Sequence, residues 1–290
     1  MTKLNTLDIV IVNYNSHGSL HQCLKSLELS IRDIGSRIIV IDNASKEDVS
    51  SVTTLFSSIE VIKNKVNIGF ASAVNQGIQK STAPYLVVLN PDTIIQEGFF
   101  KKALEFMELN PDVGIIGPKI MNSDGSIQGS ARTFPTPLTA IFGRTSLLTR
   151  VFPRNPISRK NVLTADAVSS LEAISVDWVS GACMIVRRDA IEISGLLDER
   201  FFMYWEDADW SMRMRDNGWK VMYYPAISIT HHVGKSSKER FLRSTLDFHW
   251  SAYKLYRKYT PAVKFIVMQP ILIPGLIMRC VIILFRGPKH

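Results

Sequence analysis

The sequence predicts an α/β protein built on a doubly wound, mostly parallel sheet. Short apolar runs bounded by polar residues recur along the first half of the chain, and stretches with apolar residues at helical spacing lie between them. Polar side chains follow three of these runs. Because open α/β sheets bind ligands at the carboxyl ends of their strands, we expect a ligand site at that edge.

The first half of the chain alternates strand and helix. The predicted strands are Leu7 to Tyr14, Arg37 to Asp42, Ile59 to Ile62 and Tyr85 to Leu89. The predicted helices are one that carries Leu20, Leu24, Leu27 and Ile31 on one face, then Val49 to Phe56, Ala71 to Ile78 and Phe99 to Met107. This alternation is typical of parallel sheets.

The second half is less regular. Prolines break any long element between Ser123 and Leu171, and residues 131–172 form a basic insert, which we interpret as an acceptor lid, an interfacial helix or a plain surface loop. Order returns with a strand over Val176 to Val186, a short helix ending near Gly195, a helix over Glu206 to Asn217 and a strand over Trp219 to Tyr224 that Pro225 ends. We predict one catalytic domain over residues 1–236.

The net charge of +8 comes from the end of the chain. Residues 231–290 hold eleven of the 34 Lys and Arg residues but only two of the 26 acids. There a long basic and aromatic helix leads to Tyr259, followed by an apolar stretch, Ala262 to Phe285, that Pro270 and Pro274 interrupt. We predict a membrane-associating extension over residues 237–290, with a broken helix pair at an anionic lipid surface rather than on nucleic acid. A solvated basic helix is the alternative.

The cysteines and the N-terminus indicate a reducing compartment. Cys23, Cys183 and Cys280 share no short spacing that suggests a zinc site or a redox pair, and nothing at the N-terminus resembles a signal peptide. We therefore expect a cytoplasmic protein.

Three carboxylates, Glu206, Asp207 and Asp209, stand within an aromatic run, where apolar neighbours raise the proton affinity of an acid. At ~100° per residue, Asp207 and Asp209 point to different sides of a helix. Asp209 lies four residues before Arg213, the spacing of a structural ion pair. Asp207, at the helix start, is the predicted general base, with Glu206 as its helper.

A metal site is predicted at Asp92, which follows the strand ending at Leu89. One carboxylate suffices for Mg²⁺ when phosphate oxygens and water complete its shell. Either His231 or His232 would add an imidazole. A plain turn is the alternative reading of Asn90-Pro91-Asp92.

Two further stretches contain candidate donor contacts, one at a strand end and one at a helix start. Asp42 is able to accept hydrogen bonds from a base or a ribose, or to cap the following helix. The stretch Asn67 to Ala71 leads into a helix whose start offers backbone N–H groups and small side chains. The glycine fingerprints of dehydrogenases and of phosphate-loop hydrolases are absent from the sequence, which argues against both classes.

With these motifs the chain resembles the inverting family 2 glycosyltransferases, which have the A-type nucleotide-sugar-binding fold. The resemblance covers roughly residues 7 to 236. It rests on motifs in the family's order: Ile9 to Asn15, Asp42 to Ser45, Asn67 to Ala71, Asn90 to Asp92, and Glu206 to Asp209. It implies a sugar nucleotide donor, inversion at the sugar and a divalent metal, Mg²⁺ or Mn²⁺.

The resemblance also implies roles for single residues. Asp207 would be the base, and Asp92 would bind metal in an abbreviated Asp-x-Asp motif, with Asn90 in place of the first Asp. The pattern His231-x-x-Gly234-x-Ser236 resembles the family's late metal-binding histidine. Donor contacts would be Asn13, Tyr14, Asn15, Asp42, Asn67, Gly69, Phe70, Asn75, Asn90 and Asp92. Acceptor-side residues would be Arg132, Trp178, Gly181 and Ala182.

A finer similarity points to bacterial rhamnosyltransferases. It rests on Ala131 to Pro135, Val176 to Ala182 and Phe201 to Tyr204. It implies dTDP-L-rhamnose as donor and a polyprenyl-diphosphate-linked saccharide as acceptor, in O-antigen or cell-surface polysaccharide synthesis. The enzyme would be peripheral or monotopic on the cytoplasmic face of the bacterial inner membrane.

Other readings remain at this point. A UDP-hexose or UDP-galactofuranose donor would fit the same fold, because few substitutions change a donor pocket. A sugar nucleotidyltransferase would need a glycine-rich loop near the N-terminus, which the chain lacks. A catalytically silent membrane-bound sugar-binding scaffold would not need the acidic cluster that is present here.

Overall fold

The computed structural model describes residues 6–54, 56, 59–134, 171–232 and 241–287. Its strands are β1 (Leu7–Asn13), β2 (Ser36–Asp42), β3 (Ile59–Lys63), β4 (Tyr85–Leu89), β5 (Thr93–Ile95), β6 (Val113–Met121), β7 (Ala131–Arg132), β8 (Ile174–Ser175), β9 (Trp178–Val179), β10 (Cys183–Arg187) and β11 (Lys220–His231). Its helices are α1 (His17–Ser30), α2 (Ser50–Thr53), α3 (Phe70–Lys80), α4 (Phe99–Leu109), α5 (Arg188–Ser194), α6 (Glu206–Asp216), α7 (Phe241–Tyr259) and α8 (Ala262–Arg286).

The main sheet has the strand order β3-β2-β1-β4-β10-β6-β11-β5, with β8 paired to β11. Strands β1 to β4, β6 and β11 run in one direction, whereas β10, β5 and β8 run in the other. A short ribbon of β7 and β9 stands beside it. The predicted α/β class with a mostly parallel sheet is confirmed.

Helices cover both faces of the sheet. Ile9 and Ile11 point into one core, which also contains side chains of α1 and α4. Val10 points into the other core, which contains side chains of α3, α5 and α6. Strands buried on both faces need apolar residues at every position, which is why β1, β2 and β4 read as continuous apolar runs.

Three predicted elements are wrong, two in the second half of the chain and one in the first. Val176 to Val186 is not one strand, because the chain turns between β9 and β10 to bring backbone groups of residues 181 and 182 against Asp207 and Asn90. Strand β11 does not end at Pro225, because a register shift against β6 between Tyr224 and Ser228 removes the need for a ladder donor there. The helix predicted over Val49 to Phe56 is the single turn α2.

The apolar end of the chain is one helix rather than a broken pair. Helix α8 runs through Pro270 and Pro274, since each proline removes one N–H donor and leaves the other backbone bonds in place. Within the residues described, α8 is the one helix long and apolar enough to cross a membrane, by length and composition alone. Most of the predicted insert, the boundary near residue 236, Gly234 and Ser236 lie outside the described residues.

Candidate active site

The ends of β1 and β2 are joined by side chains at the predicted ligand edge. Asn13 pairs with Asp42 across the two strands, and its amide donates to Asp42 Oδ1 and to Ser45 Oγ, both at 3.0 Å. Asn15 and Ala44 adopt left-handed φ angles of 52° and 65°, with Tyr14 half-buried beside them. These bonds fix the Asp42 carboxylate at the carboxyl end of β2.

The stretch before α3 is held by an asparagine. Asn43 donates to Asn67 Oδ1 at 2.9 Å and to the Gly69 carbonyl at 3.1 Å, and its own Oδ1 accepts from the Ile68 N–H at 3.1 Å. Gly69 has φ +90°, and a Cβ there would lie 2.7 Å from the Phe202 carbonyl oxygen. This loop is therefore packed directly on the segment that leads to the acidic cluster.

Two groups predicted to contact the donor form hydrogen bonds within the protein. The Phe70 N–H donates to the Phe202 carbonyl at 2.7 Å, so this N–H of the helix start is used within the protein. Asn75 is buried, and its amide bonds the backbone of Leu197 in both directions and the Glu199 carboxylate. We therefore assign Asn75 to holding residues 197–199 and do not propose it as a donor contact.

Asp92 and His231 lie together where β5 begins and β11 ends. His231 pairs with Thr93 across these strands, and its Nε2 stands 3.1 Å from Asp92 Oδ1. Asp92 Oδ1 is buried and accepts no well-aligned hydrogen bond from the described residues. Asn90 brings its amide within 3.5 Å of the same Nε2. The backbone N–H of Asn90 donates to the Ala182 carbonyl, which ties this corner to the turn before β10.

Gln128 determines which nitrogen of His231 carries the proton. The Gln128 amide nitrogen donates to Asn122 Oδ1 at 2.7 Å and to the His231 carbonyl at 3.1 Å. Its oxygen therefore faces His231 Nδ1 at 3.0 Å and accepts a hydrogen bond from that N–H. In the neutral imidazole this leaves a lone pair on Nε2, directed at a buried carboxylate oxygen.

This pair fits a divalent cation. Two electron-rich atoms at 3.1 Å repel one another unless a cation or a proton lies between them. No cluster of three or more His, Cys, Asp or Glu occurs among the residues that the structure describes, so phosphate oxygens and water would complete the shell. His232, the other candidate, points instead to Ser123 Oγ, 2.6 Å from its Nδ1.

Asp207 is fixed at the start of α6. Its Oδ2 accepts from the Gly181 N–H at 2.9 Å and its Oδ1 from the Ala208 N–H at 2.8 Å. A Cβ at Gly181 would be in ordinary van der Waals contact with Asp207, 3.4 Å from its Cβ. Burial raises the pKa of Asp207, while the two backbone N–H groups and the nearby Arg132 guanidinium oppose that rise.

Glu206 is the more buried of the pair. Burial, and then the charge of Asp207, raise the pKa of Glu206 well above its usual range. Its Oε2 is buried and bonds to no donor in the described part of the chain. The charged form of Glu206 is therefore disfavoured, whereas Asp207 has two backbone N–H donors and a nearby guanidinium that favour its charged form.

Asp209 has the structural partner that its spacing predicted. Its carboxylate bonds Arg213 Nε at 3.0 Å, and Lys258 and the Tyr259 hydroxyl reach it at 2.6 and 2.8 Å. The Asp209 side chain is fully buried. Helix α7, which supplies Lys258 and Tyr259, therefore packs behind the acidic cluster.

Two of the predicted acceptor-side residues, Gly181 and Arg132, lie near Asp207. Arg132 stands over the ring of Trp178, with Cζ 5.1 Å from the ring centroid, and its charge acts on Asp207. The Trp178 indole N–H donates to the Thr133 carbonyl at 3.1 Å. Gly181 and Ala182 contribute backbone groups to Asp207 and Asn90. Sequence patterns missed Gln128, because an isolated amide carries no local signal of the distant groups that it bonds. Asn43 belongs to the motif Asp42 to Ser45, but the motif gave it no role of its own.

Comparisons with known proteins identify the family. The sequence profile of Glycosyl transferase family 2 matches residues 8–192. An N-acetylglucosaminyl-diphospho-decaprenol L-rhamnosyltransferase of Mycobacterium tuberculosis is 30% identical over 263 residues, which is 86% of this chain and 83% of that protein. The dTDP-rhamnosyl transferase RfbF of Shigella flexneri is 24% identical and covers 79% of this chain and 69% of its own.

A solved structure shares the fold. The mannosyltransferase PcManGT from Pyrobaculum calidifontis, in complex with GDP-Man and Mn²⁺, superposes with a TM-score of 0.59. It is 15% identical and covers 92% of this chain and 67% of that chain.

Proposed function

We propose that this chain, which belongs to glycosyl transferase family 2, transfers L-rhamnose from dTDP-L-rhamnose to a hydroxyl of a polyprenyl-diphosphate-linked saccharide. The observation that carries the proposal is the Asp207 carboxylate, half-buried and held by the Gly181 N–H, at the edge that also holds Asp92 and His231. The names of the mycobacterial and Shigella relatives support the rhamnosyl donor and, for the former, a lipid-diphosphate acceptor.

The donor nucleotide lies along the ends of β1, β2 and β4. Asp42, fixed by Asn13, accepts hydrogen bonds from the base or the ribose. Tyr14, Asn15 and the loop from Asn67 to Phe70 complete this side of the pocket. A divalent ion, Mg²⁺ or Mn²⁺, held by Asp92 and His231 would supply positive charge to the departing diphosphate.

The chemical step is a single displacement with inversion. Asp207 takes the proton of the acceptor hydroxyl, whose oxygen attacks the anomeric carbon as the bond from that carbon to the diphosphate oxygen breaks. The proton ends on Asp207 and the negative charge on the nucleoside diphosphate. Because burial and the charge of Asp207 disfavour the ionised form of Glu206, a second negative charge beside the base is disfavoured as well. Arg132 lies on the acceptor side, where a guanidinium suits an acceptor's diphosphate.

The extension attaches the enzyme to the cytoplasmic face of the bacterial inner membrane. Phe265, Leu272, Leu276 and Cys280 of α8 are buried against the protein. The other side of α8 exposes apolar side chains, namely Val263, Ile266, Val267, Ile271, Ile277, Met278, Val281 and Phe285. A helix with one face packed and the other exposed suits the interface plane better than a free span.

Membrane attachment is tested by flotation with anionic vesicles. Ile271→Glu places a charge on the exposed face of α8 and should lower the bound fraction about tenfold. Leu109→Glu makes the same change at the exposed end of α4 and should leave binding unchanged. Equal binding of both variants would contradict attachment through α8.

The donor is tested with purified protein and a lipid-linked acceptor. Release of dTDP from dTDP-L-rhamnose, with an inverted linkage in the product, is the expected result. Faster turnover of a UDP-hexose or UDP-galactofuranose would keep the transferase and replace the rhamnosyl assignment. Binding without release from any donor would favour the sugar-binding scaffold.

A further inference from the structure

The chain adopts an unusual backbone conformation directly before the acidic pair. Tyr204 and Trp205 have φ angles of +69° and +70°, in the left-handed region that residues with a Cβ rarely adopt. Two such residues in succession cost free energy and persist only where surrounding contacts hold them. Glu206 begins α6 immediately afterwards, so this turn sets where the helix starts and where Asp207 points.

Helix α7 supplies contacts that hold this turn. The Trp205 indole N–H donates to the Phe248 carbonyl at 3.1 Å, and the buried Ser251 hydroxyl donates to the Met203 carbonyl at 2.9 Å. Ser244 hydrogen-bonds the Tyr204 side chain. The Phe248 ring also contacts the rings of Tyr204 and Trp205, with centroids 5.7 and 5.2 Å away.

The same helix holds the other side of the acidic pair. Tyr259 and Lys258, at the end of α7, bond the Asp209 carboxylate two residues beyond Asp207. Trp205 packs against a cluster that α7 and α8 form together, which includes Tyr256 and Leu276. The acidic pair thus stands between two attachments to the extension, whereas the family profile matches only residues 8–192.

We propose that helix α7 is a positioning element for the catalytic base, acting through Trp205 and Ser251. This inference rests on the proposed function, since it takes Asp207 as the base. The extension then has a role beyond membrane attachment, because its docked helix holds the 203–205 turn in the strained form that directs Asp207 to the acceptor. Trp205 and Ser251 are positioning residues that touch neither substrate.

The test uses Ser251→Ala and Trp205→Phe in the full chain. The first removes the donor to Met203, and the second removes the N–H and keeps an aromatic ring. Each should lower kcat about tenfold, because small displacements of a catalytic group are costly, while KM for the donor and Kd for dTDP stay within about twofold. Thr245→Val is the matched control, since this buried α7 hydroxyl bonds only its own helix at Phe241, and it should leave kcat unchanged.

The outcomes separate this inference from the proposed function. If Ser251→Ala and Trp205→Phe both keep kcat within about twofold, or lose activity only in proportion to the fraction that fails to bind dTDP, α7 is not a positioning element. If Asp207→Asn retains turnover, the assignment of the base fails, whatever the α7 variants do. A fall in kcat at unchanged dTDP affinity, with Asp207→Asn inactive, supports both.

Discussion

The donor side and the base side of this active site are held together in different ways. On the donor side, Asn13 bonds Asp42, and Asn43 bonds Asn67, through short side chains at neighbouring strand ends. On the base side, the turn before Asp207 depends on Phe248 and Ser251, more than forty residues later in the chain. The donor pocket is therefore held by contacts within the sheet, whereas the position of the base depends on contacts with the extension.

The largest effect that sharpens this contrast is expected at the metal pair. His231→Ala removes the imidazole beside Asp92 and should lower turnover about 10²-fold or more, because metal ions contribute several kcal/mol to such steps. Turnover of the parent protein should fall equally with a chelator and return with Mg²⁺ or Mn²⁺.

His232→Ala is the control for the metal pair. This neighbouring imidazole bonds Ser123 and should be dispensable for turnover. A role for the metal would be contradicted by equal losses of turnover in His231→Ala and His232→Ala. It would also be contradicted if a chelator did not lower the turnover of the parent protein.

A smaller effect is expected on the donor side. Asn43→Ala should raise KM for the donor about tenfold and lower the free energy of unfolding by about 1–3 kcal/mol, because it leaves the Ile68 N–H without its acceptor. The kcat value should change little, in contrast to Ser251→Ala.

Asn110→Ala is the matched control for the donor side. Its amide bonds the Phe106 carbonyl at the end of α4, so it should lower stability without a change in KM. A kcat effect for Asn43→Ala as large as that of Ser251→Ala would break the distinction between the two sides.

The smallest effect concerns the pH dependence of stability. The pKa of Glu206 is raised in the folded protein. This carboxyl group therefore keeps its proton over a pH range in which the unfolded chain, with an ordinary pKa of 4.5, has lost it. Glu206 therefore lowers stability as pH rises above about 4.5. Glu206→Gln should raise the midpoint of urea unfolding at neutral pH and leave it unchanged below about pH 4.5. A midpoint difference that does not vary with pH would mean that Glu206 titrates normally.

Much of the donor side could be predicted from the sequence, because its signals are local. The apolar runs of β1, β2 and β4 and the polar residues after them indicated both the sheet and its ligand edge, and the family resemblance is confirmed. The Asp209–Arg213 pair likewise followed from helical spacing.

The base side resisted prediction because its contacts are long-range. The apolar run Val176 to Val186 predicted one continuous strand. Nothing in that run indicates a turn at Gly181 or the hydrogen bond from the Gly181 N–H to Asp207. Gln128 meets His231 across 103 positions, and no local pattern links them. Asn75 lies beside a donor motif yet bonds Leu197, which only the folded packing reveals.

The assignment of Asp207 as the base is tested most directly by measuring both turnover and dTDP affinity in Asp207→Asn. We expect kcat to fall about 10²- to 10⁴-fold, because the amide cannot take the acceptor's proton, while Kd for dTDP stays within about twofold. Glu206→Gln, assayed alongside, should keep most of the activity. Turnover of Asp207→Asn near that of the parent protein would contradict the assignment of Asp207 as the base.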